Sequence, residues 1–386
     1  MSKHQPKLIR VSTVAESSAI LLQGQLGFLN QSYEVKVVCS PGPEIETITA
    51  REGVVVLPIK MARGISPFRD LIALWQLYLL FKKEQPTIVH SITPKAGLLS
   101  MLAAKWAKVP VRIHTFTGLI FPSKKGLLQK VLIYTDTQLC KAATHVVAES
   151  QGVAKDLKRF GIYHNKIHFI GPGNVNGINS VYFNATAMST TKAAERKALG
   201  LPETAIVFVF VGRLVADKGI RELVKAFVKL QGHYPNVFLI LLGHEEPHLD
   251  PLSPNTKTTI AKHDAIMPLG FKADIRPYLL AADALVLPSY REGFPNVILQ
   301  ALAMDLPCIA TMVNGAEEAI QHQHNGLLVP KKDISALYQA MHRIATDNEL
   351  RKSMSQNARA SALPKYEQSV VWAAHKAFYE QCLNNL

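Results

Sequence analysis

A turn that carries a carboxylate near residue 290 is the chemically most informative segment of the sequence. The apolar run 284–288 predicts a buried strand, and residues 289–303 continue through a Gly-Phe-Pro turn into an apolar helix. Glu292 lies in this turn. Open parallel sheets bind ligands at the carboxyl ends of their strands, where helix amides favour phosphate and a carboxylate accepts hydroxyl donors. The segment therefore predicts part of a site for a phosphorylated ligand with hydroxyl groups.

Two cations follow another predicted strand. Residues 211–219 close that strand and open a helix, and they place Arg213 and Lys218 five residues apart. Arginine can hold a phosphate with two parallel hydrogen bonds, and lysine adds a point charge. Taken alone, a pair of this kind is more often two solvated surface cations than a phosphate site. The diphosphate interpretation gains weight because Glu292 follows a strand in the same half of the chain.

The elements that position these residues are parallel strands alternating with helices. Thirteen apolar runs predict strands: 8–12, 34–40, 53–59, 87–92, 111–116, 144–149, 166–170, 206–212, 237–243, 265–269, 284–288, 307–311 and 326–329. A Gly/Asn-rich segment, 171–179, separates the two sets and suggests a hinge. We predict an α/β fold of two Rossmann-like doubly wound parallel-sheet domains facing a cleft. Their bounds are 1–180 and 181–364, and a C-terminal helix, 365–386, crosses back to the first domain.

The charge of the chain is concentrated in its first half. Residues 1–185 hold 22 Lys/Arg and 10 Asp/Glu, whereas residues 186–386 hold 21 and 19. No nucleic-acid-binding motif accompanies the basic half, so we expect an anionic membrane surface as its partner and no nucleic acid. Lys124, Lys125 and Lys130 are the predicted lipid-facing cations.

We expect the apolar stripe of the amphipathic segment 64–81 to pack into the core rather than to dock on a membrane. The four cysteines are scattered, which indicates reduced thiols.

The ordered motifs of the second half resemble those of retaining glycosyltransferases of family 4, which have the GT-B fold. The matching segments are 211–219, 269–271, 282–283, 288–296, 314–318 and 325–329. The family motif is Glu, seven residues, Glu, and here Gln300 takes the second position. The pieces Tyr-Arg-Glu-Gly-Phe-Pro at 290–295 and His-Thr-Phe-Thr-Gly at 114–118 are similar to those of bacterial enzymes that extend undecaprenyl-diphosphate-linked sugars.

The resemblance implies roles for individual residues. Arg213 and Lys218 would neutralise the leaving diphosphate, while Glu292 and His114 would contact the donor sugar. The other implied donor contacts are Gly212, Phe271, Lys272, Gly293, Phe294, Pro295, Asn296, Gln300, Glu317 and Glu318. Among these, Phe271 and Lys272 would lie at the nucleobase and Gln300 at the ribose. Without the family, a histidine after a strand is more often a structural hydrogen-bonding group.

The implied activity is retaining transfer of a hexose or N-acetylhexosamine from a nucleotide sugar, UDP-linked in our expectation. The implied acceptor is an undecaprenyl-diphosphate-linked sugar, used for bacterial capsule or lipopolysaccharide synthesis by a cytoplasmic enzyme peripheral to the membrane's inner face. No Asp-x-Asp sequence occurs, so we expect neither a metal ion nor a cofactor, with protein cations stabilising the developing charge. Two alternatives stay open: a nucleotide-sugar epimerase of the same architecture, and a non-catalytic GT-B scaffold. Gln300 favours the second.

Overall fold

The chain folds into two compact α/β units, each with its own parallel sheet. A computed structural model describes residues 5–62, 64, 66–163, 165–246 and 250–386. The first unit comprises Met1–Gly177 and Gln368–Leu386, and the second comprises Ile178–Glu367. The boundary between Gly177 and Ile178 falls within the Gly/Asn-rich segment 171–179. Both sheets are parallel and are flanked by helices, which confirms the predicted α/β fold class.

The first unit contains a seven-stranded sheet of order β3-β2-β1-β4-β5-β6-β7. Its strands are β1 (Lys7–Val14), β2 (Glu34–Ser40), β3 (Val55–Pro58), β4 (Ile88–Ser91), β5 (Val111–Phe116), β6 (His145–Ala148) and β7 (Ile167–His168). Its helices are α1 (Ala15–Leu21), α2 (Gln25–Asn30), α3 (Glu44–Glu52), α4 (Pro67–Glu84), α5 (Pro94–Trp106), α6 (Gly126–Ala142), α7 (Gln151–Arg159) and α16 (Gln368–Asn384).

The second unit contains a six-stranded sheet of order β10-β9-β8-β11-β12-β13. Its strands are β8 (Ile206–Val211), β9 (Val237–Leu242), β10 (Ile266–Gly270), β11 (Ala284–Leu287), β12 (Cys308–Thr311) and β13 (Gly326–Val329). Its helices are α8 (Lys192–Ala198), α9 (Ile220–His233), α10 (Pro254–Lys262), α11 (Arg276–Ala281), α12 (Asn296–Ala303), α13 (Ala316–Ala319), α14 (Ile334–Thr346) and α15 (Asn348–Tyr366).

The strand order of each sheet decides which face its helices cover. In the first sheet the chain runs from β1 outward to β3 and then back past β1 to β4, β5 and β6. Because crossovers between parallel strands are right-handed, reversing the direction moves the connecting helices to the opposite face. Accordingly α4, α5 and α6 form one layer with their own apolar core, while α1, α2 and α16 contribute to a second core.

The helix α16 is attached to the first sheet by a buried polar cluster. The hydroxyl of Tyr379 accepts a hydrogen bond from Nη1 of Arg10 at 2.9 Å and lies 2.6 Å from Nδ1 of His90. All three side chains are fully buried, and Gln25 provides a second acceptor for Arg10 at 2.8 Å. Burial without a neighbouring carboxylate lowers the pKa of Arg10. Since buried polar groups are costly unless paired, the cluster fixes where α16 packs on the sheet.

The apolar stripe of α4 differs from the prediction. Leu74, Leu77 and Phe81 are buried as expected, but Leu71 and Trp75 are 64% and 58% exposed. The expectation that the whole stripe packs into the core is therefore wrong for these two residues. The reason is that α4 is apolar on both faces, so its sequence does not say which face meets the sheet. In the described parts of the chain, no helix combines the length and the apolar character needed to cross a bilayer.

Candidate functional site

The second sheet reverses direction between β8 and β11. The chain leaves β8 toward β9 and β10 and then returns to the other side of β8 to form β11. Such a reversal opens a crevice at the carboxyl ends of the two adjacent strands, which is where open α/β sheets bind ligands. Arg213 and Lys218 follow β8, and Glu292 follows β11. The strand order therefore assigns these three predicted residues to the two sides of one crevice.

Lys218 and Glu292 form an ion pair in this crevice. Nζ of Lys218 lies 2.5 Å from Oε1 of Glu292, and the two side chains are only 19% and 13% exposed. The residues are 74 positions apart in sequence. The structure thus brings together a cation and a carboxylate that the sequence could only assign to the same sheet edge.

Glycine lets the loops after β8 and β11 approach each other closely. Gly219 has φ of +69°, and a Cβ atom at this position would lie 2.1 Å from the carbonyl oxygen of Pro288. Asp217 joins the same loops, because its carbonyl accepts from Tyr290 N–H at 2.8 Å and its carboxylate accepts from Arg291 Nε at 2.8 Å. A side chain at 219 would push the loops apart, so the Lys218–Glu292 distance depends on Gly219.

Arg213 also has a carboxylate partner. Its Nη1 lies 2.5 Å from Oε2 of Glu246, which is 12% exposed, while the Arg213 side chain is 46% exposed. The Glu246 carboxylate is therefore largely shielded from solvent, and the sequence analysis did not include it among the candidate residues. Gly212 and Gly243 permit the contact, since a Cβ atom at 243 would lie 1.9 Å from the Gly212 carbonyl oxygen. The missed signal was the position of Glu246 just after β9, the neighbour of β8 in the sheet.

Tyr290 and Glu222 were also missed by the sequence analysis. Tyr290 lies two residues before Glu292 in the chain. Its hydroxyl donates to Oε2 of the buried Glu222 at 2.5 Å. Burial raises the pKa of Tyr290, with the hydrogen bond to Glu222 adding to the effect. The neutral hydroxyl therefore anchors the loop that carries Glu292. The available signal was the position of Glu222 in the first turn of an amphipathic helix, three residues after Gly219 of the cation segment.

The residues after Glu292 are closely packed against neighbouring elements, and their contacts with a donor stay predictions. Gly293, Phe294 and Pro295 are buried, and the Phe294 ring packs 5.1 Å from Tyr366. Gly315 has φ of +74°, and a Cβ atom there would lie 2.5 Å from the Gly293 carbonyl oxygen. This close packing orients α12, which begins at Asn296 and carries the half-buried Gln300 one turn further along. The amides at the start of α12 thus belong to the same crevice.

The remaining predicted donor contacts lie along the same edge of the sheet. Phe271 follows β10, is 67% exposed, and lies 6.4 Å from the His244 ring, while Lys272 approaches the Tyr278 ring at 6.0 Å. Glu317, exposed, and Glu318, half-buried, lie on α13 beyond β12. The carboxyl edge therefore presents, in order, an exposed aromatic ring, two paired cations, Glu292 and a pair of glutamates. Among the described residues, no group of three or more His, Cys, Asp or Glu side chains is arranged to hold a metal ion.

His114 lies in the first unit and is buried. The strand β5 extends to Phe116, as the run 111–116 predicted, so His114 lies inside the strand and not at its end. Its Nδ1 is 2.8 Å from Oγ of Ser91, and its ring packs against Phe116 at 4.5 Å. Burial lowers the pKa of His114 to about 3. The imidazole is therefore neutral at neutral pH, where it can form hydrogen bonds but carries no positive charge; its contact with a donor sugar stays a prediction.

Known protein families and curated relatives match both units of the chain. Residues 191–361 match the family described as Glycosyl transferases group 1, and residues 26–174 match Glycosyltransferase Family 4. The capsular polysaccharide biosynthesis glycosyltransferase CapM of Staphylococcus aureus is 32% identical over 98% of this chain and 97% of its own length. The UDP-Gal:alpha-D-GlcNAc-diphosphoundecaprenol alpha-1,3-galactosyltransferase of Escherichia coli is 30% identical over 86% and 84%.

Solved structures show the same fold. The Anabaena protein HepE, in complex with UDP and glucose, superposes with a TM-score of 0.82 over 99% of this chain and 100% of its own, at 18% identity. This likeness confirms the predicted GT-B fold class. Since CapM matches nearly the whole chain at more than 30% identity, the chain belongs to glycosyltransferase family 4 and is a glycosyltransferase.

Proposed function

We propose that this glycosyltransferase moves a hexose or N-acetylhexosamine from a UDP-sugar to an undecaprenyl-diphosphate-linked sugar, with retention of configuration. In this proposal the product belongs to a bacterial surface polysaccharide such as capsule or lipopolysaccharide. The observation that carries the proposal is the crevice between β8 and β11, where Lys218 and Glu292 are paired beside Arg213. The names of the two relatives, one for capsular polysaccharide and one for a diphosphoundecaprenol acceptor, support it.

The order of groups along the carboxyl edge suits a nucleotide sugar. Phe271, exposed beyond β10, offers a ring face for a nucleobase. Arg213 and Lys218 at the centre provide donors for a diphosphate, to which the amides of α12 add. Glu292 accepts hydroxyl hydrogen bonds from the transferred sugar, and Gln300 meets the ribose hydroxyls.

The proposed reaction takes place on one face of the sugar. The bond from the anomeric carbon to the diphosphate oxygen breaks, and a bond to the acceptor hydroxyl oxygen forms on the same face. The acceptor hydroxyl proton passes to the departing phosphate oxygen. Arg213 and Lys218 stabilise the charge that builds on the diphosphate, so we propose that no metal ion is needed. Strong inhibition by EDTA that a divalent ion reverses would contradict metal independence.

The proposed acceptor resides in a membrane, and the first unit offers a surface that suits one. Nine large apolar side chains are exposed on α4 and α6: Phe68, Leu71, Ile72, Trp75 and Leu79, with Leu127, Leu128, Val131 and Tyr134. Both helices pack against α5. The sequence from 60 to 142 holds 13 Lys/Arg and 3 Asp/Glu, a net charge of +10 that includes Lys124, Lys125 and Lys130. Apolar side chains flanked by cations favour an anionic bilayer surface.

Fluorescence of single tryptophans tests membrane binding without any catalysis. A variant that retains only Trp75 should show a blue shift on vesicles with anionic lipid, and salt should reverse it. A variant that retains only Trp372, whose Nε1 donates to Asn176 at 2.8 Å, is the matched control and should not respond. Equal responses to neutral vesicles, or none from Trp75, would contradict the proposed surface.

The catalytic proposal is tested with the intact protein, a panel of UDP-, GDP-, ADP- and dTDP-sugars, and a lipid-diphosphate-linked sugar. We expect a UDP-sugar to be consumed only when acceptor is present, and NMR of the product to show the donor's anomeric configuration. Sugar conversion without acceptor would favour the epimerase alternative. Inactivity with every donor, relieved by Gln300→Glu, would favour a degenerate scaffold.

A further inference from the structure

Glu246 and Arg213 lie on two loops whose backbones are hydrogen-bonded to each other. The loop after β9, which carries Glu246, is hydrogen-bonded to the loop after β8, which carries Arg213. Leu214 N–H donates to the His244 carbonyl at 2.9 Å, and Asp217 N–H donates to Oδ2 of Asp250 at 2.7 Å. The backbones that carry the two charges are therefore fixed to each other. Exposed ion pairs contribute little when both side chains must be immobilised, but here the Glu246 side chain is only 12% exposed and is therefore already confined.

The contact leaves most of the guanidinium available. Arginine has five N–H donors, and the hydrogen bond to Glu246 uses one from Nη1. The Arg213 side chain is 46% exposed, whereas the Glu246 side chain is 12% exposed. One side of the guanidinium thus meets a carboxylate held by the protein, and the other side meets solvent at the carboxyl edge of the sheet. Arg213 can bind Glu246 and an incoming phosphate oxygen at the same time.

We propose that Glu246 is a positioning residue that orients Arg213 toward the donor diphosphate. The inference rests on the proposed role of Arg213 at the leaving group. An untethered arginine would have to give up its rotamer freedom as the transition-state charge forms, which slows the reaction. The negative charge of Glu246 also opposes an anionic donor. Glu246 should therefore affect turnover more than donor affinity.

The experiment compares Glu246→Ala and Glu246→Gln in the wild-type and Arg213→Ala backgrounds. The adjacent Glu245, 41% exposed and paired with Lys257, supplies the control Glu245→Ala. We expect Glu246→Ala to lower kcat about tenfold while donor KM changes less than about threefold, as for a group that acts in the transition state. Glu246→Gln retains a carbonyl acceptor and should keep kcat within about threefold of wild type. Glu245→Ala should remain within about twofold.

The double variant separates positioning from a general effect on the fold. With Arg213 already replaced by alanine, Glu246→Ala should lower kcat by less than about twofold, because its target is gone. A full tenfold loss in that background, or the same loss from Glu245→Ala, would overturn the inference. Wild-type kcat in a folded Glu246→Ala protein would overturn it as well. If Arg213→Ala alone leaves kcat unchanged, the proposed function of Arg213 fails and the inference fails with it.

Discussion

Removing the charge of Lys218 should affect catalysis and nucleotide binding in different ways. We consider Lys218→Met, which keeps most of the aliphatic stem and deletes the ammonium group that lies 2.5 Å from Glu292. In the proposed reaction, this ammonium stabilises charge on the leaving diphosphate. The loss of one such preorganised donor costs about 3 kcal/mol in the transition state, so kcat should fall by about 10²-fold.

The pairing adds a second consequence. Without Lys218, the Glu292 carboxylate, only 13% exposed, loses its partner and faces the diphosphate as an uncompensated charge. Glu292→Gln removes that charge while keeping an acceptor. The double variant Lys218→Met/Glu292→Gln should therefore bind UDP more tightly than Lys218→Met, by about tenfold or about 1.4 kcal/mol. The same glutamine in the wild-type background should have a smaller effect, because Lys218 already neutralises Glu292.

Isothermal titration with UDP measures the four affinities of this cycle, and turnover with donor and acceptor measures kcat. Thermal unfolding checks that each variant is folded, and Lys257→Met, which removes a half-exposed cation paired with Glu245, is the matched control. Turnover of folded Lys218→Met within about threefold of wild type would refute a role for Lys218 at the leaving group. An equal change in UDP affinity from Glu292→Gln in both backgrounds would show that the two side chains are not coupled, which also contradicts the prediction.

Gln300, Gly219 and the buried histidines can each be tested separately. Gln300→Glu should change donor KM by no more than about tenfold, because a glutamine can still bind the ribose with one acceptor and one donor. Gln300→Ala should bind the donor more weakly than either, and steady-state kinetics with varied donor concentration measure all three KM values. Gly219→Ala should lower kcat at least about tenfold, since its Cβ would lie 2.1 Å from the Pro288 carbonyl oxygen; Gly232→Ala, with nothing within 4 Å of its Cβ, is the kinetic control. Burial lowers the pKa of His114 and of His375 to about 3. As pH falls below about 6.5, these histidines therefore bind protons in the unfolded chain but not in the folded protein, and the free energy of unfolding decreases toward pH 3. Urea titrations from pH 7.5 to 5 should show this decrease, less steeply in His375→Gln, and an unchanged slope would contradict it.

The sequence by itself determined the elements and the loops that carry the chemistry. Continuous apolar runs predicted the thirteen strands found among the described residues, because a strand buried on both faces needs apolar side chains at every position. The motifs around Arg213 and Glu292 could be placed at the carboxyl edge of the sheet, since each directly follows such a strand. Both steps depend on local order along the chain, which a single sequence shows directly.

The tertiary structure alone decided which of these groups meet. Lys218 contacts Glu292 because β8 lies beside β11, and Arg213 contacts Glu246 because β9 lies on the other side of β8. The same applies to the burial of His114 and the exposure of Trp75 on a helix that is apolar on both faces. Periodicity fixes the spacing of side chains along one element, but strand order and helix orientation arise from packing between elements distant in sequence. A pattern read along one strand or helix therefore cannot contain them.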